Sequence, residues 1–285
     1  LGHQALISAA VAEARARGLR SAVLTFSPHP AEVLAKGEAV RYLSSLPERK
    51  ALIRAVGADA VATLHFTREV AALTAEEFMA DIVPDLSVVS LWVGPDFALG
   101  RGRQGTVDVL AEIGRRLGYT VQTVPPVVLD GVTVSSSATR RLLQAGEIVE
   151  ANRMLGRPYV LEGQVRQGDG RGRLLGFPTA NLDLDPKRVV PADGVYVVLA
   201  RLGSQSEPGV ANVGTRPSFG TNERNLEVHL LGFSGELYGQ RLRVQFLERL
   251  RAERRFARVD DLITQMRHDV ASAREFFAAH PSERQ

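Results

Sequence analysis

The chain has 285 residues, of which 45% are hydrophobic and 24% are charged, and its formal net charge is +3. This composition is that of an ordinary globular protein, and the length suits one large domain or two smaller ones. The absence of cysteine excludes a disulfide framework, a thiolate zinc site and a cysteine nucleophile, and it fits a reducing compartment. No apolar run approaches the roughly 20 residues of a membrane helix, and the first residues do not read as a signal peptide. We therefore expect a cytoplasmic protein without a membrane partner.

The first half of the chain alternates helical and strand patterns. Helical spacing of apolar residues covers residues 6–18, 47–57, 74–83 and 105–118, and short apolar strands follow at 21–26, 58–66, 87–94 and 119–129. Thr74 and Glu77 have the spacing of a capping box. Short apolar strands separated by helices predict parallel pairing in a doubly wound sheet. Ligands of such sheets bind outside the carboxyl ends of the strands.

The rhythm changes near residue 158. Residues 135–159 predict two short helices that are broken at Gly146, and five short strands separated by Gly, Pro, Asn and Asp follow. Such strands predict a small antiparallel barrel or sandwich, and residues 260–280 predict a C-terminal helix with an apolar packing stripe. The fold class is thus an α/β domain followed by a β-domain, with boundaries at 1–155 and 156–285.

Several polar motifs of the first half lie where ligands of a parallel sheet bind. His3 stands where a helix begins, and free N–H groups at helix starts attract phosphate. His29 lies between two prolines after a strand, and Asp96 and Phe97 follow another strand. Each of these residues could equally belong to a rigid turn or an ordinary surface loop.

The stretch Val134–Arg140, "VSSSATR", could form a phosphate site, because serine hydroxyls and free helix N–H groups would lie one turn from Arg140. The alternative is that one of the three serines, among them Ser136, is only the N-cap of the helix.

The stretch Gly170–Asn181, "GRGRLLGFPTAN", is basic and rich in glycine, and glycine lets backbone approach a ligand closely. It lacks the Lys-Ser/Thr ending of a P-loop. In an extended segment, Thr179 and Asn181 point to the same face and offer two neutral oxygens. Such a pair suits Mg²⁺, which takes few protein ligands alongside substrate phosphates, although an Asn-capped turn is the simpler alternative.

The pattern of residues 226–230 is that of a half-buried strand, in which Leu226, Val228 and Leu230 alternate with Glu227 and His229. Glu227 would then be a carboxylate on a rigid strand, and it is a candidate general base. The alternative is that this polar face only meets solvent.

Together these motifs resemble the prokaryotic bifunctional riboflavin kinase/FMN adenylyltransferase family, also called FAD synthetase, in the family's order. The resemblance implies an enzyme that uses ATP to phosphorylate riboflavin to FMN and then adenylylates FMN to FAD with release of pyrophosphate. Riboflavin, FMN and ATP would be its small-molecule partners, with Mg²⁺ as cofactor and no nucleic acid. The sequence leaves the oligomeric state open.

The resemblance also assigns roles in the kinase half. The glycine-rich turn, with Gly170, Gly172, Gly176 and Phe177, would cover the ATP phosphates. Thr179 and Asn181 would hold Mg²⁺ and the transferred phosphate. Glu227 would accept the proton of the riboflavin 5′-hydroxyl. Arg251 matches a family stretch near the flavin.

In the first half, the resemblance implies that His3 stabilises charge on the phosphates. Arg140 and the neighbouring serines, including Ser136, would hold the β- and γ-phosphates. His29, Asp96 and Phe97 match positions that line the nucleotide and flavin pocket.

The chain departs from the family pattern at two places. Only Leu-Gly-His of a longer N-terminal motif is present, so we expect a fragment of a longer protein, and the alternative is a riboflavin kinase with a degenerate or truncated adenylyltransferase half. Ala138 stands where the Ser-rich motif commonly has a basic residue. Two other classes also compete. An arginine-rich barrel could bind a nucleic-acid backbone, and a doubly wound half could bind a nicotinamide, but no Gly-x-Gly-x-x-Gly follows a strand.

Overall fold

The structure is a computed structural model that describes residues 1–34, 40–168, 170–215 and 224–284, without the side chains of Arg171 and Arg284. The chain divides into two compact units, Leu1–Ser135 and Ser136–Gln285, and each is described by itself. None of the helices in the described ranges is long and apolar enough to cross a membrane.

The first unit is built from helices and short strands in alternation. Its helices are α1 (Gly2–Ala16), α2 (Pro30–Leu34), α3 (Leu46–Ala55), α4 (Arg68–Ala72), α5 (Ala75–Leu86) and α6 (Val107–Leu117). Its strands are β1 (Ala22–Ser27), β2 (Ala60–His65), β3 (Ser90–Val93), β4 (Ala98–Leu99), β5 (Gly105–Thr106), β6 (Thr120–Thr123), β7 (Val128–Leu129) and β8 (Val132–Thr133).

Parallel pairing, which the sequence predicts for the first unit, is confirmed in two strand pairs. β1 pairs with β2 from Ala22 opposite Ala60 to Ser27 opposite His65, and β3 pairs with β6. Local signals begin the helices as predicted, since the Thr74 side chain and Glu77 form a capping box before α5. The two pairs therefore present their carboxyl ends as edges for a ligand.

Apolar faces of the helices form the cores of the first unit. One buried cluster joins α5, α6 and the start of β6, and another joins α1 to α3 and the start of β2. The members of the first cluster are Ala75, Met79, Val83, Leu110, Ile113 and Tyr119, and those of the second are Ile7, Val11, Ile53 and Ala58. The helical spacing in the sequence accounts for both clusters, because it puts these residues on one helix face.

The second unit contains a closed six-stranded barrel, in which every strand pairing is antiparallel. The strands are β9 (Tyr159–Arg166), β10 (Ala180–Leu184), β11 (Gly194–Leu202), β12 (Gln205–Thr215), β13 (Arg224–Leu230) and β14 (Arg241–Ala252), in the order β10-β13-β12-β11-β14-β9. The helices are α7 (Ser136–Ala145), α8 (Ile148–Leu155), α9 (Arg171–Leu174) and α10 (Val259–Ala279).

This barrel and its C-terminal helix confirm the predicted fold class. The five predicted strands are present as β9, β11, β12, β13 and β14, and α7 and α8 are separated at Gly146 as expected. Phe277 and Ala273 of α10 pack against Val197, Leu199 and Leu247 of the barrel. The strand β10 was not predicted, and it contains the last two residues, Ala180 and Asn181, of the Pro-Thr-Ala-Asn segment.

Candidate active sites

In the second unit, the segment 178–181 meets β13 at the candidate base. Asn181 of β10 is the direct cross-strand partner of Glu227. The Thr179 hydroxyl donates to Oε2 of Glu227 at 3.5 Å. The predicted alternation is also present, since Leu226 and Val228 are fully buried while Glu227 is half-buried. The barrel therefore brings the two candidate metal ligands and the candidate base together.

Asn225 links these residues, and the sequence reasoning missed it. Its side-chain amide donates to Oε1 of Glu227 at 2.8 Å and to Oδ1 of Asn181 at 3.3 Å. Only 7% of Asn225 is exposed. The alternation that identified Glu227 could have found it, because Asn225 precedes Glu227 by two residues on the same strand face.

His229 occupies the next position on that face. Its Nδ1 lies 2.9 Å from the carbonyl oxygen of Pro178, and its ring meets the edge of the Phe177 ring at a centroid distance of 5.6 Å. A carbonyl can only accept, so Nδ1 carries the hydrogen. The polar face of β13, defined here as Asn225, Glu227 and His229, thus follows the segment 178–181 along its length.

The glycine-rich turn packs tightly onto this segment. A Cβ on Gly172 would lie 2.4 Å from the Phe177 carbonyl oxygen, and one on Gly168 would lie 2.3 Å from Nδ2 of Asn181. Gly170 and Gly176 have φ angles of 69° and 86°, which side chains rarely adopt. They flank the single turn of α9. Backbone can therefore reach a ligand beside Thr179 only because these positions lack side chains.

The chemistry of this site fits a hard cation. Thr179, Asn181, Asn225 and Glu227 offer oxygen ligands, and Oδ1 of the buried Asn225 has no hydrogen-bond partner within the described residues. The described part of the chain holds no cluster of three or more His, Cys, Asp or Glu residues that could bind a metal. A site of neutral oxygens and one carboxylate is the kind that Mg²⁺ shares with substrate phosphates.

Arg251 is engaged elsewhere in the second unit. Its guanidinium binds the carboxylate of Asp269 on α10 in a two-pronged ion pair, with N–O distances of 2.9 and 2.7 Å. Asp269 is buried, and the Arg251 side chain is 20% exposed. Two residues on, burial and the nearby Asp193 raise the pKa of Glu253, against the opposing charge of Arg251. The structure thus shows Arg251 in an ion pair with a residue of α10, and its role in flavin binding stays a prediction.

In the first unit, His3 lies in the first turn of α1. Gly2 beside it approaches the backbone of Val134, where the Ser-rich motif begins, since a Cβ on Gly2 would lie 3.7 Å from the Val134 carbonyl oxygen. The His3 side chain is exposed to solvent. Desolvation of the charged ring and the nearby positive charge of Arg49 lower the pKa of His3.

His29 follows β1 and is fixed by local hydrogen bonds. The ring Nδ1 of His29 accepts from the backbone N–H of Ala31 at 3.1 Å, and the backbone N–H of His29 donates to the Tyr42 hydroxyl at 2.9 Å. Tyr42 in turn donates to Glu32. Because Nδ1 is an acceptor, the neutral ring carries its hydrogen on Nε2.

Arg49 of α3 lies at the carboxyl end of β1, and the sequence reasoning missed it. Its Nη1 donates to the Thr25 hydroxyl and to the Phe26 carbonyl oxygen, each at 3.2 Å. Its guanidinium lies 5.7 Å from the centre of the Tyr42 ring. Burial lowers the pKa of this arginine. No sequence motif identifies Arg49, because only the tertiary contact of α3 with β1 brings its side chain to the carboxyl end of that strand.

Asp96 and Phe97 lie in the turn after β3, as expected. The Phe97 N–H donates to the Gly94 carbonyl, and Arg103 donates to the Asp96 carbonyl at 3.0 Å. Phe97 is 36% exposed. The Asp96 backbone is thus tied to Arg103 of the basic loop that follows β3.

Ser136 and Arg140 belong to the second unit. Ser136 is the first residue of α7, and Arg140 lies one turn further along the helix. Burial lowers the pKa of Arg140. Ala138, at the position where a basic residue is common, is buried.

Comparisons with known proteins decide the family. A model described as FAD synthetase matches residues 1–138, and one described as riboflavin kinase matches residues 155–277. The bifunctional riboflavin kinase/FMN adenylyltransferase of Escherichia coli K12 is 40% identical over 278 residues, which is 97% of this chain and 88% of that protein. The chain belongs to the bifunctional riboflavin kinase/FMN adenylyltransferase family. The predicted family, enzyme class and two-step function are thereby confirmed.

Other members of this family align over similar lengths. The Pseudomonas fluorescens enzyme is 42% identical over 97% of this chain and 89% of its own, and the Bacillus subtilis enzyme is 33% identical over 98% and 89%. A crystal structure described as a macrolide-efflux protein from Streptococcus pneumoniae superposes with a TM-score of 0.89 at 32% identity, over 96% of this chain and 89% of that one. That description belongs to the Streptococcus protein.

The residues predicted for the kinase reaction all lie in the second unit, whereas those predicted for the adenylyltransferase reaction lie in both units. Gly170, Gly172, Gly176, Phe177, Thr179, Asn181, Glu227 and Arg251 lie in the barrel unit. All of these except Gly170, Gly176 and Arg251 take part in the contacts described above around Glu227. His3, His29, Asp96 and Phe97 lie in the first unit. The stretch 211–220, "ANVGTRPSFG", also resembles the kinase half of the family, and its residues 216–220 lie outside the described residues.

Proposed function

We propose that Thr179, Asn181 and Glu227 carry the riboflavin kinase step. The observation that supports this proposal is the contact of all three in one cluster, with the Thr179 hydroxyl on the Glu227 carboxylate. Glu227 is the general base that takes the proton from the riboflavin 5′-hydroxyl as this oxygen attacks the γ-phosphate of ATP. Phosphoryl transfer depends mainly on positioning and charge neutralisation, which a cluster on rigid strands can supply.

Mg²⁺ is the proposed cofactor, held by Thr179 and Asn181. When bound, it neutralises charge on the phosphates. Gly170, Gly172 and Gly176 let the turn before Phe177 lie over the ATP phosphates, where backbone N–H groups can donate to phosphate oxygens. Arg251, held by Asp269, supports the loop of residues 252–256 beside the flavin.

For the adenylyltransferase step, His3 stabilises charge on the phosphates while the FMN phosphate attacks the α-phosphate of ATP. Arg140 and Ser136 bind the β- and γ-phosphates, which leave as pyrophosphate. His29, Asp96 and Phe97 line the nucleotide and flavin pocket. The two functional domains span residues 1–155 and 156–285, and the protein acts in the cytoplasm.

The experiment compares Glu227→Gln with wild type. The purified protein is incubated with riboflavin, ATP and Mg²⁺, and the flavins are separated by chromatography. Loss of a general base should lower FMN formation by about 10²- to 10⁴-fold. Riboflavin binding, read from flavin fluorescence, should persist.

Glu162→Gln is the matched control, because Glu162 lies on barrel strand β9, which does not pair with β13, and forms a surface ion pair with Arg241. It should leave FMN formation unchanged. If Glu227→Gln phosphorylates riboflavin as fast as Glu162→Gln, Glu227 is not the base. His3→Ala should lower FAD formation from added FMN while leaving FMN formation intact, and equal loss of both would contradict its role.

A further inference from the structure

Asn225 and His229, the two residues beside Glu227 on the polar face of β13, are not among the residues proposed to carry the kinase step. The polar face of β13 touches the segment 178–181 at three places, and its three side chains are spaced two residues apart. The contacts are Asn225 with Asn181, Glu227 with Thr179, and His229 with Pro178. One strand face therefore bears the candidate base in its centre and a hydrogen-bonding group on either side.

The side-chain amide of Asn225 donates hydrogen bonds to two residues of the proposed kinase site. The amide nitrogen lies 2.8 Å from Oε1 of Glu227 and 3.3 Å from Oδ1 of Asn181. Both partners are acceptors, so the nitrogen and not the oxygen of the amide must face them. Because Asn225 is buried, this orientation is enforced by the barrel and not by solvent. The bridge fixes the Glu227 carboxylate relative to Asn181.

His229 holds the other end of the segment. Nδ1 donates to the Pro178 carbonyl, and Pro178 directly precedes Thr179. The Phe177 ring packs edge-on against the same imidazole. Fixing the Pro178 carbonyl fixes the peptide from which the Thr179 side chain extends.

We propose that Asn225 and His229 are positioning residues for riboflavin phosphorylation, which place Glu227 and the segment 178–181 for in-line transfer. The inference rests on the proposed function of Glu227, Thr179 and Asn181. Neither residue touches a substrate in this role, and each acts through its hydrogen bond. A displacement of about 1 Å at a reacting group can cost 100-fold in rate, so two such bonds matter for kcat.

The His229 hydrogen bond is tested by two substitutions, each of which introduces a side-chain amide donor at a different distance from the backbone. The Nδ2 of asparagine can take the place of Nδ1, whereas the amide of glutamine reaches the position of Nε2. His229→Asn should keep kcat for FMN formation within about threefold of wild type, and His229→Gln and His229→Ala should lower it about tenfold, since one hydrogen bond is lost. The KM for riboflavin should change little in each variant, because the bond serves the transition state.

A purely structural role for His229 predicts a different pattern. Equal kcat values for His229→Asn and His229→Gln would overturn the proposal for this residue, and so would an unchanged kcat in His229→Ala. His229 is only partly buried, so these variants should fold.

Asn225→Asp tests the amide bridge, because aspartate has the same shape and lacks the donor. It should lower kcat tenfold or more. Asn152→Asp is the matched control, since Asn152 also bridges two groups away from Glu227: its Oδ1 accepts from the Tyr159 N–H, and its Nδ2 donates to the Phe246 carbonyl. Its kcat should stay within about twofold of wild type. Equal losses in the two variants would overturn the role of Asn225.

Folding is followed by circular dichroism, and Asn225→Ser replaces the aspartate variant if that variant does not fold. A second readout needs no turnover. In the metal-free protein, the side-chain NH₂ resonances of Asn225 should shift on Glu227→Gln and not on Glu162→Gln. Unshifted resonances would contradict the bridge.

The outcomes separate this inference from the proposed function. If Glu227→Gln remains active, the assignment of the base fails. If Glu227→Gln is inactive while the Asn225 and His229 variants turn over like wild type, only the positioning roles fail.

Discussion

Gly172 and Phe177 lie so close that a methyl group on residue 172 would come within 2.4 Å of the Phe177 carbonyl oxygen. The Phe177 N–H also donates to the Gly172 carbonyl at 2.8 Å. This contact closes the glycine-rich turn directly before Pro178. The turn can therefore lie against the candidate metal segment only when residue 172 has no side chain.

Gly172→Ala should impair the kinase reaction without unfolding the barrel. The added Cβ forces the turn away from Phe177, and FMN formation should fall about tenfold or more because the phosphate-covering backbone is displaced. The rate of FMN formation and the melting temperature are the measurements. Gly232→Ala is the control, because its Cβ would meet only the flexible end of Glu207, at 3.1 Å. Similar rates for the two variants would show that this close approach has no catalytic importance.

Thr179→Val should remove the contact with the candidate base, and with it a proposed metal ligand, while keeping the side-chain shape. The hydroxyl is the group that reaches Oε2 of Glu227, so its loss should lower kcat for FMN formation by about tenfold or more. Thr179→Ser keeps the hydroxyl and should retain most of the rate. The proposal for Thr179 fails if valine and serine give the same rate. Titration of the rate with Mg²⁺ should show a higher requirement in the valine variant.

Asp269→Ala should destabilise the second unit. The buried carboxylate of Asp269 neutralises Arg251, and removing one partner leaves a largely buried charge unpaired, which costs about 3 kcal/mol. Denaturant unfolding measures this change. The double substitution Arg251→Met with Asp269→Leu should recover much of the stability, because no charge is then left alone. A double variant as unstable as Asp269→Ala would show that the pair contributes by more than mutual neutralisation.

The same double variant distinguishes a stabilising role of Arg251 from a role in flavin binding. If Arg251 only stabilises the second unit through its ion pair, the double variant should bind riboflavin as tightly as wild type. Weaker flavin binding in a stable double variant would favour the flavin role that the family resemblance implies.

Asp59 should make the stability of the first unit depend on pH. Its carboxylate accepts from the backbone N–H of Ser21 at 2.8 Å and from the Ser21 hydroxyl at 2.7 Å. These two hydrogen bonds are the main reason that the pKa of Asp59 is lowered; desolvation opposes them, and Arg20 and Arg15 lower the pKa further. A carboxyl with a lowered folded pKa stabilises above its unfolded pKa of about 3.9, and this stabilisation is lost as the pH falls through the folded value.

Asp59→Asn should therefore lower the melting temperature at pH 7, and the difference from wild type should shrink as the pH falls below about 4. Thermal melting across the pH range measures it. Asp81→Asn on α5 is the control, because Asp81 is an exposed residue of a helix in the same unit. A difference that stays constant with pH would contradict the role of the charged form.

The local elements of the fold could be predicted because their signals are local. The capping box of Thr74 and Glu77 lies within one helical turn, and the alternation of residues 226–230 lies within one strand. β10 was missed because Ala-Asn-Leu-Asp-Leu contains residue types that are uncommon in strands. It is a strand because β9 and β13 pair with it on both sides.

The candidate site was predictable in its parts. Thr179, Asn181 and Glu227 carried a chemical signal in their motifs. Asn225 carried none, since its importance depends on a contact with Asn181, 44 residues away. Arg251 was identified only through its match to a family stretch, and the structure adds its ion pair with Asp269, which lies 18 residues further along the chain.

The sequence by itself determined the longer helices, most of the strands, the two-part fold class and the residue types available for chemistry, because helical periodicity, capping and strand alternation act over a few neighbouring residues. The short helices α2, α4 and α9 were not predicted. Only the tertiary structure decided that β10 lies between β9 and β13, and that Thr179 meets Glu227 across 48 residues of chain. Strand order and register are set by long-range pairing and by packing of the barrel interior, and no local pattern encodes which strand will be the neighbour of another.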